Sequence, residues 1–260
     1  MPLRDDRCYV IAEAGSNHYG NYDHAVRLIQ AAKEAGADAC KFQLFRLADI
    51  LRDPTGAGRP GECGDPKTEL PPEWVPLLAD VCREYRIDFL CTPFSAWAVE
   101  VLDPYVEMWK IGSFEWKRQD IWDAVLATDK PIICSTGRGR SQESEIAYAL
   151  LHCVSKYPCP ESEMNLPWYG YLDEQSRPFG GLSDHTLSTV IPALAVARGA
   201  RIIEKHFRLD DTPPESPDHS FALTPAQLAE MVANIRLAEL TCWRTPQEVT
   251  LASYPNRREE

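Results

Sequence analysis

The chain has 260 residues, 44% hydrophobic and 25% charged, so it can bury a large core as one α/β barrel or as two small domains. Its net charge of −12 argues against nucleic acid as a partner, because duplex binding draws most of its affinity from basic residues on phosphate. We find no apolar signal segment and no run of about eighteen apolar residues, so we expect a cytoplasmic protein with no membrane partner.

Strand-like and helix-like segments alternate along the chain. Short apolar runs bounded by turn residues predict strands, and longer segments with a 3.6-residue apolar period predict helices. The predicted strands are Tyr9–Ala14, Ala39–Leu44, Asp88–Pro93, Met108–Ser113, Pro131–Thr136, Leu151–Ser155, Gly181–Asp184 and Arg201–His206. The predicted helices are Asp23–Ala35 with Gly36 as its stop, Pro72–Tyr85, Ala96–Leu102, Arg118–Ala127, Glu143–Leu150, a weak one near Glu161–Leu172, Leu187–Arg198 and Pro225–Leu240.

Eight βα units favour a single-domain α/β protein, a (β/α)8 TIM barrel over residues 1–243. An open doubly wound sheet is the alternative, but no Gly-rich dinucleotide turn follows the first strand. The Gly- and Pro-rich stretch Asp53–Pro72 predicts a long loop that either orders over a substrate or is simply mobile. Residues 244–260 are predicted to form a polar C-terminal tail.

The nine cysteines include no CxxC pair, and their number is odd. Several lie inside apolar strand-like runs, where cysteine behaves as a small buried hydrophobe; they are Cys40, Cys91, Cys134 and Cys153. We therefore expect neither structural disulfides nor a zinc site.

Two neighbouring predicted strands each deliver a histidine at their ends, His185 and His206. Alternate residues of a strand share a face, so Ser183 lies with His185 and Glu204 with His206. A single strand-end histidine is more often a hydrogen-bonded core group than a ligand. Two on adjacent strands, with a carboxylate and a hydroxyl, predict a divalent-metal site beside a phosphate or carboxylate.

Lys41 and Lys110 lie inside otherwise apolar strands, where an unpaired charge is costly to bury. An internal salt bridge with Glu13 or Glu204 would satisfy either lysine. Two lysines together are more typical of a cradle for phosphate and carboxylate groups. Hydroxyls at the strand ends complete this cradle: Ser113, Ser135 and Ser183.

Glu13 ends the first predicted strand. We expect the two lysines to keep it ionised, which suits proton acceptance or charge stabilisation. Its alternative role is to neutralise Lys41. Nucleophilic serine chemistry is disfavoured, because the sequence has no GxSxG elbow and no serine with an evident His/Asp relay.

At these residues the chain resembles the sialic acid synthase (N-acetylneuraminate synthase) family. The matching motifs follow family order from about residue 8 to residue 240: Ile11–His18, Ala35–Gln43, Cys91–Phe94, Trp109–Ser113, Ser135–Gly137, Tyr157–Pro158, Gly181–Thr186, Glu204–Phe207 and Pro217–His219. The resemblance covers the catalytic barrel only, without the C-terminal antifreeze-like domain into which family members continue.

The resemblance implies metal-dependent condensation of phosphoenolpyruvate with an aldose, an amino sugar or related aldehyde sugar, giving a nonulosonic-acid-type 2-keto-3-deoxy sugar acid plus phosphate. It implies a divalent metal at His185 and His206, Mn²⁺ with Mg²⁺ or Co²⁺ as alternatives. It is compatible with a homodimer but leaves the oligomeric state open, because the family's dimer depends partly on the antifreeze-like domain. Glu13 matches the catalytic carboxylate. The residues that match the phosphoenolpyruvate site are Lys41, Lys110, Ser113, Ser135, Ser155 and Ser183. Those that match positions facing the acceptor are Gln43, Thr92, Phe94, Tyr157 and Asp218.

The chain departs from the family pattern at two points. Ser155 stands where some members carry asparagine, and Phe114 and Trp116 flank Glu115 where we expect smaller or more polar residues around the acceptor. Two other functions stay open, a catalytically silent phosphoenolpyruvate-binding barrel and a metal-dependent pyruvate aldolase. Pyruvate, however, lacks the phosphate that the strand-end hydroxyls are suited to hold.

Overall fold

The computed structural model describes residues 7–51, 65–137, 147–166 and 180–242. Eight parallel strands lie in this part of the chain: β1 Tyr9–Gly15, β2 Ala39–Leu44, β3 Asp88–Pro93, β4 Trp109–Ile111, β5 Ile132–Ser135, β6 Ala149–Cys153, β7 Gly180–Asp184 and β8 Ile202–His206. They hydrogen-bond in the order β3-β2-β1-β8-β7-β6-β5-β4, and the strands at the two ends of this order lie against each other. The predicted (β/α)8 barrel is therefore confirmed as a nearly closed ring.

Helices alternate with the strands along the chain. The α-helices among the described residues are α1 Tyr22–Glu34, α2 Leu47–Leu51, α3 Trp74–Tyr85, α4 Ala96–Leu102, α5 Gln119–Leu126, α6 Ile191–Ala197 and α7 Pro225–Cys242. The sequence did not predict the short helix α2. Single 3₁₀ turns occur at Pro66–Thr68, Glu115–Lys117 and Glu161–Glu163. In this part of the chain no helix is long and apolar enough to cross a membrane.

Helix α1 begins and ends where its sequence provides caps. The Asn21 side chain accepts a hydrogen bond from the backbone N–H of His24 at 3.1 Å, which satisfies one of the free donors of the first turn. Gly36 follows the helix with φ +86°, a left-handed conformation that glycine adopts without strain. The predicted stop at Gly36 is therefore confirmed.

The barrel interior changes character along the strands. Apolar side chains fill it toward the amino ends, where the interior cluster includes Ile11, Ile133 and Ile202. Two residues further along these same strands, on the same face, come Glu13, Ser135 and Glu204. The inward-facing side chains of these strands are therefore apolar toward the amino ends, where they form a packed core. At the carboxyl ends they are polar and form a site.

The four cysteines that the sequence places inside strands lie in β2, β3, β5 and β6, and all four are buried. A larger apolar cluster packs between the outer face of the strands and the helices. The expectation that these cysteines act as small core hydrophobes is confirmed for Cys40, Cys91 and Cys134, which belong to this cluster. It is wrong for Cys153, whose Sγ instead lies 3.9 Å from His185 Nδ1.

The boundary before β6 was predicted wrongly. The strand spans Ala149–Cys153 rather than Leu151–Ser155, so Ala149 and Leu150, predicted as the end of helix Glu143–Leu150, belong to the strand. Residues 143–146 of that predicted helix lie outside the described residues. Ala149, Leu150 and Leu151 are all buried, although they point to both faces of the strand. A run of consecutive apolar residues has no alternation of apolar and polar positions, so its sequence cannot distinguish a strand from a helix.

Three other elements differ from their predicted bounds. Strand β4 has three residues, fewer than the predicted Met108–Ser113. The weak helix near Glu161–Leu172 is a single 3₁₀ turn at its start, and its end lies outside the described residues. Helix α6 begins at Ile191 rather than Leu187, because the Ser188 hydroxyl accepts hydrogen bonds from the N–H groups that open the helix. Most of the predicted loop Asp53–Pro72 and the tail 244–260 also lie outside the described residues.

Candidate active site

A cleft at the carboxyl ends of the strands brings together nearly all the predicted site residues. Those that line it are Glu13, Lys41, Gln43, Thr92, Phe94, Lys110, Ser113, Ser135, Tyr157, Ser183, His185, His206 and Asp218. Ser155 is the exception. It does not line the cleft, and its hydroxyl instead donates a hydrogen bond to the Ser113 hydroxyl at 2.9 Å.

The two buried lysines converge on one carboxylate. Lys41 Nζ lies 3.6 Å from Glu204 Oε2, and Lys110 Nζ lies 3.5 Å from the same oxygen, so the two ammonium groups are at most about 7 Å apart. Lys41 also pairs with Glu13 Oε2 at 2.8 Å. The other oxygen of Glu204 accepts a hydrogen bond from the Ser183 hydroxyl at 2.9 Å. The internal salt bridges that were the alternative to an anion site are therefore present. Both lysines nevertheless lie against the same oxygen of Glu204.

Two hydroxyl groups and one backbone carbonyl accept further hydrogen bonds from the lysines; the carbonyl is that of Ile111, 3.0 Å from Lys110 Nζ. Lys110 Nζ donates to Ser135 Oγ at 2.7 Å, and Lys41 Nζ donates to Thr92 Oγ1 at 2.9 Å. Thr92, predicted from the family resemblance to face the acceptor, thus contacts a lysine of the anion site. Each ammonium group is held by more than one partner, which fixes its position before any ligand arrives.

The two carboxylates of this network differ in acidity. Burial raises the pKa of Glu13, and the opposing charges of Lys41 and His206 do not offset it. Burial acts the same way on Glu204, but Lys110, Lys41 and His206 outweigh it and lower its pKa to about 2. Glu204 is therefore an ionised partner that both lysines share. Lys41 lowers the pKa of Glu13, as expected for a neighbouring cation, but desolvation is the larger effect and the net shift of that pKa is upward.

The two predicted imidazoles lie close together in the cleft, with ring centroids 5.5 Å apart and ring planes tilted by 51°. His185 Nδ1 donates to the Val154 carbonyl at 2.8 Å, which leaves the lone pair of a neutral ring on Nε2. His206 Nδ1 lies 3.3 Å from Asp218 Oδ2. Burial lowers the pKa of His206, but the carboxylates of Asp218 and Glu13 outweigh it and raise that pKa. These surroundings favour positive charge at this ring.

This pair of imidazoles fits a shared divalent ion. With metal–nitrogen distances of about 2.1 Å, two rings bound to one ion have centroids roughly 4.5–5.5 Å apart for bond angles of roughly 90–120°, and the observed spacing agrees. Among the described residues, no group of three or more His, Cys, Asp or Glu side chains is arranged to hold a metal. An ion bound here would have His185 and His206 as its protein ligands and would leave other positions to water or substrate oxygens.

Aromatic side chains pack against the two imidazoles. The Tyr157 ring lies 4.0 Å from the His185 ring, centroid to centroid, and 6.3 Å from the Phe114 ring. Phe221 meets Tyr157 and His206 edge-on at 5.1 and 5.0 Å. The part of the cleft above the imidazoles is therefore largely aromatic.

Sequence reasoning missed several residues that line the cleft, among them Phe45, Leu47 and Phe221. Phe221 lies in the loop after β8. A loop has no regular alternation of side chains, so its sequence does not show which residue points into the cleft. Glu204 was expected either beside the two histidines or as a salt-bridge partner of a lysine. The structure places it against both lysines.

Gly137 permits the contact between Ser113 and Ser155. A Cβ atom on this residue would lie 2.5 Å from Ser113 Cβ and 2.6 Å from Ser155 Oγ, and its φ of +39° is in the left-handed region. Only glycine fits between the two serines, so the Ser135–Gly137 motif shapes the hydroxyl side of the anion site.

Comparison with known proteins agrees with this geometry. The NeuB family model matches residues 28–244. The chain is 38% identical to the spore coat polysaccharide biosynthesis protein SpsE of Bacillus subtilis, over 91% of this chain and 69% of SpsE. It is 33% identical to the N,N'-diacetyllegionaminic acid synthase of Legionella pneumophila, over 89% of this chain and 72% of that protein.

Solved structures show the same relationship. The crystal structure of N-acetylneuraminic acid synthetase from Leptospira borgpetersenii superposes with a TM-score of 0.85 at 30% identity, covering 95% of this chain and 89% of that one. The expected resemblance to the sialic acid synthases is confirmed. The chain belongs to the NeuB family.

Proposed function

We propose that this protein condenses phosphoenolpyruvate with the aldehyde group of an aldose, in a metal-dependent reaction that yields a 2-keto-3-deoxy sugar acid and phosphate. One observation carries the proposal. Two buried lysines share a single carboxylate oxygen in the same cleft as two imidazoles spaced for one ion. An anion site can hold an enol phosphate, and an ion held by a neighbouring pair of imidazoles can polarise the carbonyl that the enol phosphate attacks.

The lysines and hydroxyls hold the phosphoenolpyruvate in this proposal. Lys41 and Lys110 exchange part of their contact with Glu204 for the substrate carboxylate and phosphate, which are stronger partners for buried ammonium groups. Serine hydroxyls around them fix the orientation of the enol ether: Ser113, Ser135 and Ser183. Ser155 acts through its hydrogen bond to Ser113 rather than by direct contact.

His185 and His206 hold the divalent ion, Mn²⁺ with Mg²⁺ or Co²⁺ as alternatives. The bound ion supplies Lewis-acid polarisation of the aldehyde oxygen. Asp218 supports this position from beside His206, and Gln43, whose side-chain amide donates to Glu13 at 2.7 Å, extends toward the acceptor. The Tyr157 and Phe94 rings, with the Thr92 hydroxyl deeper in the cleft, bound the space left for the sugar.

The bond changes balance with one water molecule. Carbon 3 of phosphoenolpyruvate attacks the aldehyde carbon, and the aldehyde oxygen gains a proton. Water then adds at carbon 2, and phosphate leaves as the C–O bond breaks. Glu13 is the group that moves a proton, because burial raises its pKa while Glu204 beside it stays ionised.

Phosphate release tests the proposal. The purified protein is incubated with Mn²⁺, phosphoenolpyruvate and a panel of aldoses that includes N-acetylmannosamine. We expect stoichiometric phosphate and keto acid with at least one aldose, and loss of both with Glu13→Gln. Folded protein that releases no phosphate with any aldose would contradict the proposal.

The same assay separates the two other functions. A silent binding barrel would bind phosphoenolpyruvate, seen as a rise in melting temperature, without turnover. A pyruvate aldolase would form product from pyruvate and the aldose without phosphoenolpyruvate. A cytoplasmic location stays a prediction from the sequence, and a homodimer stays compatible with the family resemblance.

A further inference from the structure

A second buried ion pair lies behind the cleft, on the opposite face of strands β7 and β8. Successive residues of a strand point to opposite faces, so Lys205, between Glu204 and His206, points away from the cleft. Its register partner on β7 is Asp184, whose Oδ2 lies 2.6 Å from Lys205 Nζ. Both side chains are fully buried, and neither lines the cleft. The pair therefore belongs to the layer between the sheet and the helices.

The ammonium group of Lys205 also holds the chain that follows β7. Nζ donates to the Thr186 carbonyl at 2.5 Å, and to the Thr186 hydroxyl and the Ser188 carbonyl at 3.3 Å each. Asp184 closes the same turn, because its two oxygens accept from the N–H and the hydroxyl of Thr186 at 2.9 and 3.1 Å. We call Asp184, Thr186, Ser188 and Lys205 the outer-face cluster. Buried, charge-assisted hydrogen bonds of this kind hold a turn in one conformation.

The outer-face cluster encloses His185. The residues before and after this histidine, Asp184 and Thr186, are both bonded to Lys205. Lys205 is in turn the residue before His206. One buried ammonium group thus connects the backbone that carries the first imidazole to the strand that carries the second.

The other hydrogen bonds of His185 do not make this connection. Its Nδ1 donates to the Val154 carbonyl at 2.8 Å, and its own carbonyl accepts from the Cys159 N–H at 2.8 Å. Both partners belong to the chain that follows β6, so these bonds orient the ring relative to β6 and not relative to β8, which carries His206. The outer-face cluster is what continues the attachment of β7 to β8 past their last register pair.

We propose that Lys205, at the centre of the outer-face cluster, is a positioning residue that sets the spacing of the two metal-binding imidazoles from the far side of the sheet. This inference rests on the proposed function, which places the divalent ion at His185 and His206. Two imidazoles bind one ion tightly only when both reach it together, and a shift of about 1 Å in one of them leaves the ion with a single protein ligand. Residues that orient metal ligands contribute to affinity without touching the metal.

The Mn²⁺ affinity of Lys205→Met tests the inference. Methionine fills a similar space but cannot donate to Asp184 or to the turn. We expect the Kd for Mn²⁺, followed by the paramagnetic resonance signal of the free ion, to rise by about 10- to 100-fold. Calorimetric binding of phosphoenolpyruvate without metal should change only a few-fold, on the order expected for a site that Lys205 does not touch. An unchanged Kd for Mn²⁺ overturns this inference alone, whereas unmodified protein that binds no Mn²⁺ overturns the proposed metal-dependent function as well.

Thr186→Val is a second variant, which decides the question if Lys205→Met does not fold. Valine keeps the shape of threonine, removes the hydroxyl bond to Asp184 and leaves no buried charge without a partner. We expect its Kd for Mn²⁺ to rise by about threefold or more. An unchanged Kd in this folded variant overturns the inference.

Leu28→Ala is the matched control for lost stability. Leu28 is fully buried on α1 and does not line the cleft, so its truncation opens a cavity and lowers the melting temperature without touching the outer-face cluster. We expect this variant to keep its Kd for Mn²⁺. A rise as large as that in Lys205→Met would show that lost stability alone weakens the metal site, and would overturn the positioning role of Lys205.

Discussion

Glu13 and Lys41 form a buried ion pair between neighbouring strands, with Oε2 and Nζ 2.8 Å apart. The two residues are register partners of β1 and β2, so the backbone pairing itself sets the contact. Both side chains are at most 4% exposed, and removal of either charge leaves the other without water to replace it. Substitutions at this pair must therefore keep size and hydrogen bonding if they are to report on chemistry.

Glu13→Gln meets that condition. The glutamine oxygen can still accept from the Gln43 amide, but it cannot carry a proton between reacting groups. We expect kcat to fall by about 10²-fold or more, with phosphoenolpyruvate affinity changed only a few-fold. Steady-state kinetics and calorimetric binding of phosphoenolpyruvate measure the two effects. Equal loss in both would show that Glu13 only positions Lys41.

Glu204→Gln removes the anion that both lysines share. We expect it to lower the free energy of unfolding by roughly 3 kcal/mol or more, because Lys110 and Lys41 lose the carboxylate that they share and only Lys41 keeps another ion pair, with Glu13. Added inorganic phosphate should raise the melting temperature of this variant by more than it raises that of the unmodified protein.

Asp184→Asn is the matched control for that experiment. It breaks another fully buried ion pair, that of Asp184 Oδ2 and Lys205 Nζ at 2.6 Å, which does not line the cleft. It should destabilise the protein without any added response to phosphate. An equal phosphate response in both variants would contradict an anion site at Lys41 and Lys110.

The sequence predicted the parts of the site that strands determine. A strand fixes which residues share a face, so Lys41, Lys110, His185 and His206 could be assigned to one cleft from their positions alone. The loop residue Phe221 could not, because its place depends on how the chain returns after β8. The acidity of Glu13 was also out of reach, since burial and charge act in opposite directions and only coordinates show which is larger.

His18 should make stability fall in acid. Burial, and the nearby His24, lower its pKa from the usual 6.5 to about 4. Between these values the unfolded chain binds a proton that the folded chain does not, so the free energy of unfolding falls as pH falls, by on the order of 1.4 kcal/mol per pH unit from this residue. His18→Asn, whose side-chain oxygen can still accept from the Gly20 N–H, should show a shallower loss. Urea unfolding at pH 7 and pH 5 measures the difference, and identical losses would refute it.

His206→Ala and His185→Ala should each abolish Mn²⁺ binding, because two imidazoles are the protein ligands proposed for the ion. Binding is followed by the loss of the free Mn²⁺ paramagnetic resonance signal, which does not depend on turnover. His24→Ala is the matched control. Its ring is also buried but bonds to the Thr212 hydroxyl at 2.9 Å and does not line the cleft. Unchanged Mn²⁺ binding in the two cleft variants would place the histidines in the core rather than in a metal site.

Gly137→Ala should weaken phosphoenolpyruvate binding by displacing Ser113 and Ser155, the hydrogen-bonded serines that lie against this residue. The added Cβ would fall within 2.6 Å of Ser155 Oγ and closer still to Ser113, so the pair must move apart. We expect the KM for phosphoenolpyruvate to rise by about tenfold or more, together with a lower melting temperature from the left-handed φ. Gly36→Ala carries a similar backbone strain at φ +86°, but its Cβ would meet only Val232, away from the cleft. That variant should lose melting temperature and keep its KM, and a parallel rise in KM would mean that strain alone, not the displaced serines, weakens binding.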